Sequence, residues 1–379
     1  MRVLIAPDKF KGCLTAAQVA ACLADGMLSA RPSLQVTQFP IADGGDGTVA
    51  AALTRGYVEV PLWATGPSGQ PLDTGYALRG QRAVIELAMV CGLDRLPAGR
   101  LDPLGASTYG LGEVIKHAIT GGATEIVIAL GGSASTDGGA GMLEALGARL
   151  LDDSGAPIGR GGAALAQLAT IDLSELRRTV AGVSFVLASD VENPLLGASG
   201  AAAVFGPQKG AGVQELERLE AGLTHWSELV AAAVGSDHSA RPGAGAAGGT
   251  GFAALAVLDP EVRSGAELVL ELLDFATALA EADLVITGEG SLDLQSLAGK
   301  GPIGVARAAS AADVPAIAVV GHTQLGFDQI RSAGLSAVYP LSDLQPDQRR
   351  SIAEAGPLLR SIGSRIAFKW CDPARPRRS

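Results

Sequence analysis

Short apolar segments that are each followed by a polar loop and then by a helical pattern recur along this chain. Val3–Ala6 is such a segment, and Thr15–Leu28 then carries apolar residues at helical spacing. Ile126–Leu130 repeats the arrangement, with a glycine-rich loop before the helical pattern of Met142–Leu146. Strands that alternate with helices in this way favour α/β layers with mostly parallel strands. The sequence therefore predicts an α/β fold.

The alternation of strands and helices is interrupted in one stretch. Residues 57–86 contain short alternating segments separated by glycines, which indicate hairpins and a mixed sheet. The strand and helix pattern of the opening returns over residues 283–341. We therefore predict a Rossmann-like parallel-sheet domain made of residues 1–62 plus 283–379. An inserted α/β domain with a mixed sheet would span residues 63–282, with the active site in the cleft between the two domains.

Charge and cysteine content limit the partners of the chain. Lys and Arg number 29 against 39 Asp and Glu, which gives a net charge of −10. Binding of nucleic acid or anionic lipid needs clustered cations, so we expect neither partner. The 4 cysteines include no Cys-x-x-Cys pair, and no apolar run reaches the ~18 residues that span a bilayer. We expect a soluble, cytoplasmic protein that acts on small molecules; a homodimer is left open.

Polar side chains follow five of the predicted strands. In open α/β sheets, ligands bind beyond the carboxyl ends of the strands. Carboxylates that hold Mg²⁺, together with lysines and backbone N–H groups that hold phosphate oxygens, suit phosphoryl transfer. The side chains, in chain order, are Asp8, Lys9 and Lys11; Asp43 and Asp46; Ser133, Ser135, Thr136 and Asp137; Asp190, Glu192 and Asn193; and Glu289 and Asp293, with Lys300 a little further on.

Each of these positions also has a structural interpretation. A single Asp at a strand end can equally be a helix cap or a turn residue. The loop 131–139 follows a strand and precedes a helix, so it is the strongest candidate for a phosphate loop, although it matches neither GxxxxGK[ST] nor GxGxxG. Lys209 lies between glycines, where a phosphate contact and a solvated loop charge are both open. His322 follows a strand, and the four histidines show no spacing typical of zinc ligands.

Read together, the loops resemble the bacterial glycerate kinase family. The likeness runs in the family's order from residue 2 to about residue 368. Its motifs, as they stand here, are APDKFKG from Ala6, ADGGDGT from Ala42, GGSASTDGG from Gly131, DVENPL from Asp190, FGPQKG from Phe205, PGAGAAGG from Pro242, TGEG from Thr287, and the Gly299-Lys300 pair. Lys9, Cys13, Asp46, Ser135 and Thr136 depart from the residues that are usual in the family.

The resemblance implies ATP-dependent phosphorylation of D-glycerate with Mg²⁺ by a two-domain α/β enzyme. It favours the 2-hydroxyl and hence 2-phosphoglycerate. Formation of 3-phosphoglycerate and phosphorylation of a related hydroxy acid stay open, and so does a catalytically silent sensor of sugar acids. Retention of all the carboxylate-bearing loops argues against the sensor.

The hypothesis for the site assigns three groups of residues. Asp190 or Asp8 accepts the proton of the attacking hydroxyl, with Lys11 beside them, and Glu289 and Asp293 help to hold Mg²⁺. The remaining candidates for contacts with substrate or phosphate are Lys9, Asp43, Ser133, Ser135, Thr136, Asp137, Asn193, Lys209 and Lys300.

Overall fold

Strands and helices alternate through the computed structural model, which describes residues 1–42, 45–294, 296–298 and 301–371. The strands within these residues are β1 (Arg2–Pro7), β2 (Gln35–Gln38), β3 (Val58–Thr65), β4 (Pro71–Arg79), β5 (Arg82–Glu86), β6 (Glu125–Ala129), β7 (Arg149–Leu151), β8 (Thr170–Asp172), β9 (Ser184–Ala188), β10 (Glu261–Arg263), β11 (Leu284–Leu292), β12 (Ala316–Thr323) and β13 (Ala337–Pro340).

The helices are α1 (Ala16–Ala30), α2 (Thr48–Leu53), α3 (Ala88–Cys91), α4 (Tyr109–Thr120), α5 (Ala140–Leu146), α6 (Ser174–Thr179), α7 (Ala201–Phe205), α8 (Val213–Val234), α9 (Ala246–Ala253), α10 (Gly265–Leu272), α11 (Phe275–Ala280), α12 (Gly301–Ala311), α13 (Phe327–Ser332), α14 (Gln348–Ala353) and α15 (Ala355–Trp370). The chain divides into two units. The terminal unit comprises Met1–Asp43 and Ala266–Ser379, and the central unit comprises Gly44–Gly265.

The terminal unit is built on a five-stranded parallel sheet. Its strand order is β13-β12-β11-β1-β2, and Val3 lies opposite Leu284 on one side and Val36 on the other. β2, the next strand along the chain, therefore lies on one side of β1, and the later strands β11, β12 and β13 lie on the other side. The reversal places a topological switch point between β1 and β11, which is where open sheets of this order bind ligands.

One face of this sheet is covered by α1 and α15. Val3 and Ile5 of β1 share a buried cluster with Leu23 of α1 and Leu359 of α15. The two helices approach so closely that a Cβ at Gly363 would collide with the carbonyl oxygen of Leu23. Glycine at this position therefore sets the distance between the helices, and this packing ties the two ends of the chain together.

The central unit has a six-stranded mixed sheet in the order β10-β9-β6-β5-β4-β3. The first four strands are parallel, and β4 and β3 are added as antiparallel strands. A separate antiparallel pair, β7 and β8, lies outside this sheet. Helix α8 supplies Trp226, which is fully buried in the core of this unit. No described helix is both long and apolar enough to cross a membrane.

The predicted fold class is confirmed: an α/β chain with one parallel and one mixed sheet. The units divide at residues 43/44 and 265/266, whereas the prediction placed the boundaries at 62/63 and 282/283. Strand β3 belongs with the central unit because it pairs along its length with β4. Phe275 of α11 belongs with the terminal unit because its ring packs edge-on against Phe39, with centroids 5.3 Å apart.

Candidate active site

A cavity of about 600 Å³ lies within the terminal unit, at the carboxyl ends of its strands. Asp8, Lys9 and Lys11 reach it from the loop after β1, and Glu289 and Asp293 reach it from β11 and the turn that follows. This is the edge of the sheet at which β1 and β11 form the topological switch point. Five residues that the sequence analysis singled out on two separate loops are therefore brought together in one cavity.

The loop between β1 and α1 has a fixed shape. The backbone N–H of Phe10 donates to the carbonyl of Leu14 over 2.9 Å, and the N–H of Leu14 donates back to Phe10 over 3.0 Å. Thr15 then caps α1, since its hydroxyl accepts from the N–H of Gln18. Asp8 is 7% exposed, and its Oδ1 accepts the N–H of Lys9 over 2.6 Å. These bonds hold the acidic and basic side chains of the loop at the cavity.

Strand β11 continues beyond its apolar first residues, Leu284, Val285 and Ile286. It extends to Leu292, and Ser291 lies directly opposite His322 of β12. The Ser291 hydroxyl and Nε2 of His322 are 3.2 Å apart, and both residues line the cavity. Glu289 therefore lies on a strand rather than in a loop. Asp293 follows the strand, and its Oδ1 accepts the N–H of Ser296 over 3.1 Å.

The carboxylates in this cavity can be compared with the needs of Mg²⁺. Among the residues that the structure describes, no group of three or more His, Cys, Asp or Glu side chains could hold a metal ion. Mg²⁺ in phosphoryl-transfer sites usually takes only one or two protein carboxylates, with water and substrate phosphates as its other ligands. Glu289 and Asp293 in one cavity supply oxygen donors of this type, so the donor set fits.

The glycine-rich loop 131–139 belongs to the central unit, where the carboxylate of Asp137 holds it internally. Asp137 is 1% exposed, and its Oδ2 accepts the N–H and the hydroxyl of Thr108, each over 2.8 Å. Further N–H groups donate to the same carboxylate from Gly139 over 3.2 Å and Gly141 over 3.3 Å. The carboxylate thus joins the start of α4 to the start of α5.

Lys209 is buried beneath the same loop and is 1% exposed. Its Nζ donates to the hydroxyl of Ser133 over 2.9 Å and, through a very short hydrogen bond, to the carbonyl of Ser135. Burial lowers the pKa of this ammonium to about 7, and the charge of nearby Asp137 acts in the opposite direction. The ammonium group is therefore directed at protein acceptors.

Three consecutive left-handed residues, 247–249, pack against the loop. The N–H of Gly138 donates to the carbonyl of Gly248 over 3.0 Å, and Nε1 of Trp226 donates to the carbonyl of Gly138 over 3.0 Å. The hydroxyl oxygens of Ser135 and Thr136 are buried and have no hydrogen-bond partner within the described part of the chain. The polar residues of the loop, Ser133, Ser135, Thr136 and Asp137, are thus all buried.

The remaining predicted residues of the central unit lie after β9. Oδ1 of Asp190 accepts the Ser264 hydroxyl and the Gly265 N–H, each over 2.9 Å, and the Asn193 side chain donates to the carbonyl of Ser199 over 2.8 Å. Glu86 was not among the predicted residues. It is 6% exposed and accepts the N–H groups of residues 47 and 49 at the start of α2. Its position directly after the apolar run Ala83–Ile85 was the available signal.

A model of the glycerate kinase family matches residues 3–371 of the chain. The chain belongs to the glycerate kinase family. The resemblance inferred from the motifs is thereby confirmed, and with it the predicted class, an enzyme of the kinase type.

Named relatives of this glycerate kinase family member are similar over most of their length. Glycerate kinase of Bacillus subtilis (strain 168) is 43% identical over 345 residues, which is 90% of either chain. Glycerate 2-kinase of Escherichia coli (strain K12) is 42% identical over 343 residues, 89% of this chain and 90% of the relative. A crystal structure of a protein assigned as glycerate kinase 2 from Salmonella typhimurium LT2 aligns with a TM-score of 0.81 at 39% identity and covers 97% of each chain.

The roles assigned to individual residues of this glycerate kinase family member stay predictions. Asp8, Lys9, Lys11, Glu289 and Asp293 share one cavity of the terminal unit. Ser133, Ser135, Thr136, Asp137 and Lys209 are buried together in the central unit. Asp43 and Lys300 lie outside the described residues. The shared cleft expected from the sequence also stays a prediction.

Proposed function

We propose that this protein transfers the γ-phosphoryl group of ATP to D-glycerate and forms 2-phosphoglycerate. The observation that carries the proposal is the cavity at the β1/β11 switch point, where Asp8, Lys9, Lys11, Glu289 and Asp293 lie together. Membership of the glycerate kinase family supports the acceptor. The name of the Escherichia coli relative, glycerate 2-kinase, supports the 2-hydroxyl.

Asp8 is the proposed proton acceptor, because it is the buried carboxylate that lies among the lysines of the cavity. As the glycerate hydroxyl attacks the γ-phosphorus, its proton passes to a carboxylate oxygen of Asp8. The new O–P bond forms while the bond between the γ-phosphorus and the bridging oxygen breaks, and ADP leaves. Asp190, hydrogen-bonded to Ser264 and Gly265, is the alternative acceptor.

The cationic side chains are proposed to stabilise the charge on the transferred phosphoryl group. Lys11 is exposed and Lys9 is half-buried at the cavity, so both ammonium groups are placed where an anionic ligand can reach them. Glu289 and Asp293 would hold Mg²⁺, which supplies positive charge to the phosphate oxygens when it is bound.

The four cysteines form no disulfide, in agreement with a cytoplasmic enzyme.

The test is a coupled assay with the purified full chain, MgATP and D-glycerate. ADP release is followed in one channel, and enolase without phosphoglycerate mutase reports product in another, because only 2-phosphoglycerate then yields phosphoenolpyruvate. Immediate phosphoenolpyruvate supports the proposal. ADP without phosphoenolpyruvate indicates the 3-hydroxyl, and no ADP release moves the search to related hydroxy acids and then to a sensor that binds without turnover.

A further inference from the structure

The cavity of the terminal unit extends beyond the charged residues that the proposed function uses. Its far wall is formed by the segment after β13, by α14 and by the first residue of α15. The apolar lining residues there are Leu341, Pro346, Ile352 and Ala355, and the polar ones are Ser342, Gln345, Gln348 and Ser351. Leu341 and Ala355 are buried, whereas the Ile352 side chain is 49% exposed although it lines the cavity. A large apolar side chain that stays half exposed in a concave site is available to contact a ligand.

The two walls are joined. Sγ of Cys13, in the loop after β1, donates to the carbonyl of Ile352 over 3.2 Å. Phe10 of the same loop is 4% exposed and also lines the cavity. One continuous surface therefore leads from the ammonium groups of Lys9 and Lys11, past Phe10 and Cys13, to Ile352 of α14.

The volume of the cavity distinguishes between two candidate ligands, the three-carbon acid and the nucleotide. Pockets of about 300–1,000 Å³ hold drug-sized ligands and bury most of their surface, and this cavity measures about 600 Å³. A three-carbon acid occupies a small part of such a volume and would leave the wall at α14 uncovered. A nucleotide has a charged phosphate chain at one end and at the other a flat base with an apolar face and a hydrogen-bonding edge. The wall at α14 offers Ile352 for the face of a base and Gln345, Gln348 and Ser351 for its edge.

The glycine-rich loop of the central unit offers no comparable arrangement of side chains. Ser133, Ser135, Thr136 and Asp137 are at most 5% exposed, and the ammonium group of Lys209 donates to acceptors within the loop. Asp137 and the bond between Lys209 and Ser133 hold the loop together, and the hydroxyl groups of Ser135 and Thr136 are buried inside it. Lys9 and Lys11 of the loop after β1, in contrast, line the cavity, and Lys11 is exposed to solvent.

We propose that the cavity of the terminal unit binds the nucleotide, with the phosphates at Lys9 and Lys11 and the nucleoside against Ile352 and the neighbouring residues of α14. This inference rests on the proposed function, since it concerns the phosphoryl donor of that reaction. It adds a nucleoside contact on α14, a segment that none of the motifs includes.

The test compares Ile352→Ser with Phe327→Ser in the full-length protein. Phe327 is a matched control, because it is a large apolar residue of the same unit, lies on the short helix α13, is 68% exposed and does not line the cavity. We expect Ile352→Ser to weaken binding of a fluorescent ADP analogue by about fivefold to tenfold, the loss of one apolar contact. Phe327→Ser should change this binding less than twofold, and so should Ile352→Met.

Tripolyphosphate serves as a second probe, because it carries the phosphates without a nucleoside. The inhibition constant of tripolyphosphate against the ADP analogue should be the same for wild-type protein and Ile352→Ser, when it is calculated with the affinity of each protein for the analogue. Equal weakening of ADP and tripolyphosphate would overturn the placement of the nucleoside at α14. Unchanged ADP binding in Ile352→Ser would overturn it as well.

Steady-state kinetics separate this inference from the proposed function. The KM for ATP should rise about fivefold to tenfold in Ile352→Ser, while the KM for D-glycerate stays within about twofold. A higher KM for D-glycerate with an unchanged KM for ATP would instead place D-glycerate in the cavity and overturn the inference. A protein that binds ADP through Ile352 but does not phosphorylate D-glycerate would refute the proposed function alone, because the binding measurements need no turnover.

Discussion

Lys209 donates a hydrogen bond to the hydroxyl of Ser133, 2.9 Å away, from a side chain that is 1% exposed. The pair connects the short helical turn before α8 to the glycine-rich loop after β6. An ammonium group in this position loses its hydration, and for this reason its pKa falls from the ordinary 10.5 to about 7. The bond therefore links the geometry of the loop to the protonation of one buried group.

Lys209→Met is expected to remove a pH dependence of stability. Between about pH 7 and pH 10.5 the unfolded chain holds a proton that the folded chain has released, so the free energy of unfolding rises with pH across this window. Below about pH 7 both states carry the proton and this contribution is constant. Urea denaturation at several pH values should show a difference between wild-type protein and variant that grows with pH.

Lys116→Met provides the control, since Lys116 is exposed on α4. Its unfolding free energy should run parallel to that of wild-type protein over the same pH values. A Lys209→Met curve that also runs parallel would show that the buried ammonium does not titrate near neutrality.

Asp137→Asn should destabilise the protein by about 2–4 kcal/mol, because an amide cannot accept all the bonds that the buried carboxylate accepts. Two of the donors, from Thr108, lie at 2.8 Å. The midpoint of urea denaturation measures the loss. Asp152→Asn is the control: Asp152 also accepts backbone N–H groups in a turn, but it is only half-buried, and its change should be far smaller. Similar changes in both variants would argue against the buried network.

Asp8→Asn should lower kcat at least about a hundredfold with little change in the KM for ATP, because an amide cannot take the proton of the attacking hydroxyl. Asp190→Asn is measured beside it in the same coupled assay. A loss below tenfold for Asp8→Asn, together with a hundredfold loss for Asp190→Asn, would transfer the role to Asp190. Asp328→Asn, on the exposed helix α13, should leave kcat unchanged.

Gly363→Ala should lower the stability of the terminal unit by about 1–3 kcal/mol, because the added methyl group has no room against the Leu23 carbonyl and must push α1 and α15 apart. Gly356 lies on the same helix, and a Cβ there would meet its nearest neighbours at 3.7 Å, an ordinary contact. Gly356→Ala should therefore stabilise the helix by up to about 1 kcal/mol. Thermal denaturation of the two variants should give shifts of opposite sign.

The sequence predicted the places of Asp8, Lys11 and Glu289 in the fold better than it predicted the surroundings of Ser133 and Asp137. Asp8 and Lys11 follow an apolar run, and placement after a strand was enough to bring them to the sheet edge with Glu289. The same pattern describes Ser133 and Asp137, yet these side chains are buried. The difference comes from Lys209 and Trp226, which lie far along the chain and reach the loop only after the central unit has packed.

Glu86 shows a second limit. It ends a strand in the stretch interpreted as a hairpin-rich region, so its carboxylate was not considered beside the others. Its partners are backbone N–H groups at the start of α2, more than thirty residues away in sequence. Hydrogen bonds to backbone atoms leave no residue-type signal at the partner position, because any residue can supply the N–H group.

The pairing of β1 with β11 constrains how the protein is made. Val3 and Leu284 are neighbours in the finished sheet, yet a ribosome that adds about 5–20 residues per second needs on the order of tens of seconds to pass from one to the other. Until β11 is synthesised, β1 has only β2 of its two neighbours in the sheet. The central unit ends at Gly265, so all of its residues are synthesised before β11 begins. The terminal unit is therefore the last to fold during synthesis. The edge of β1 that later pairs with β11 stays without its partner strand until β11 has been synthesised.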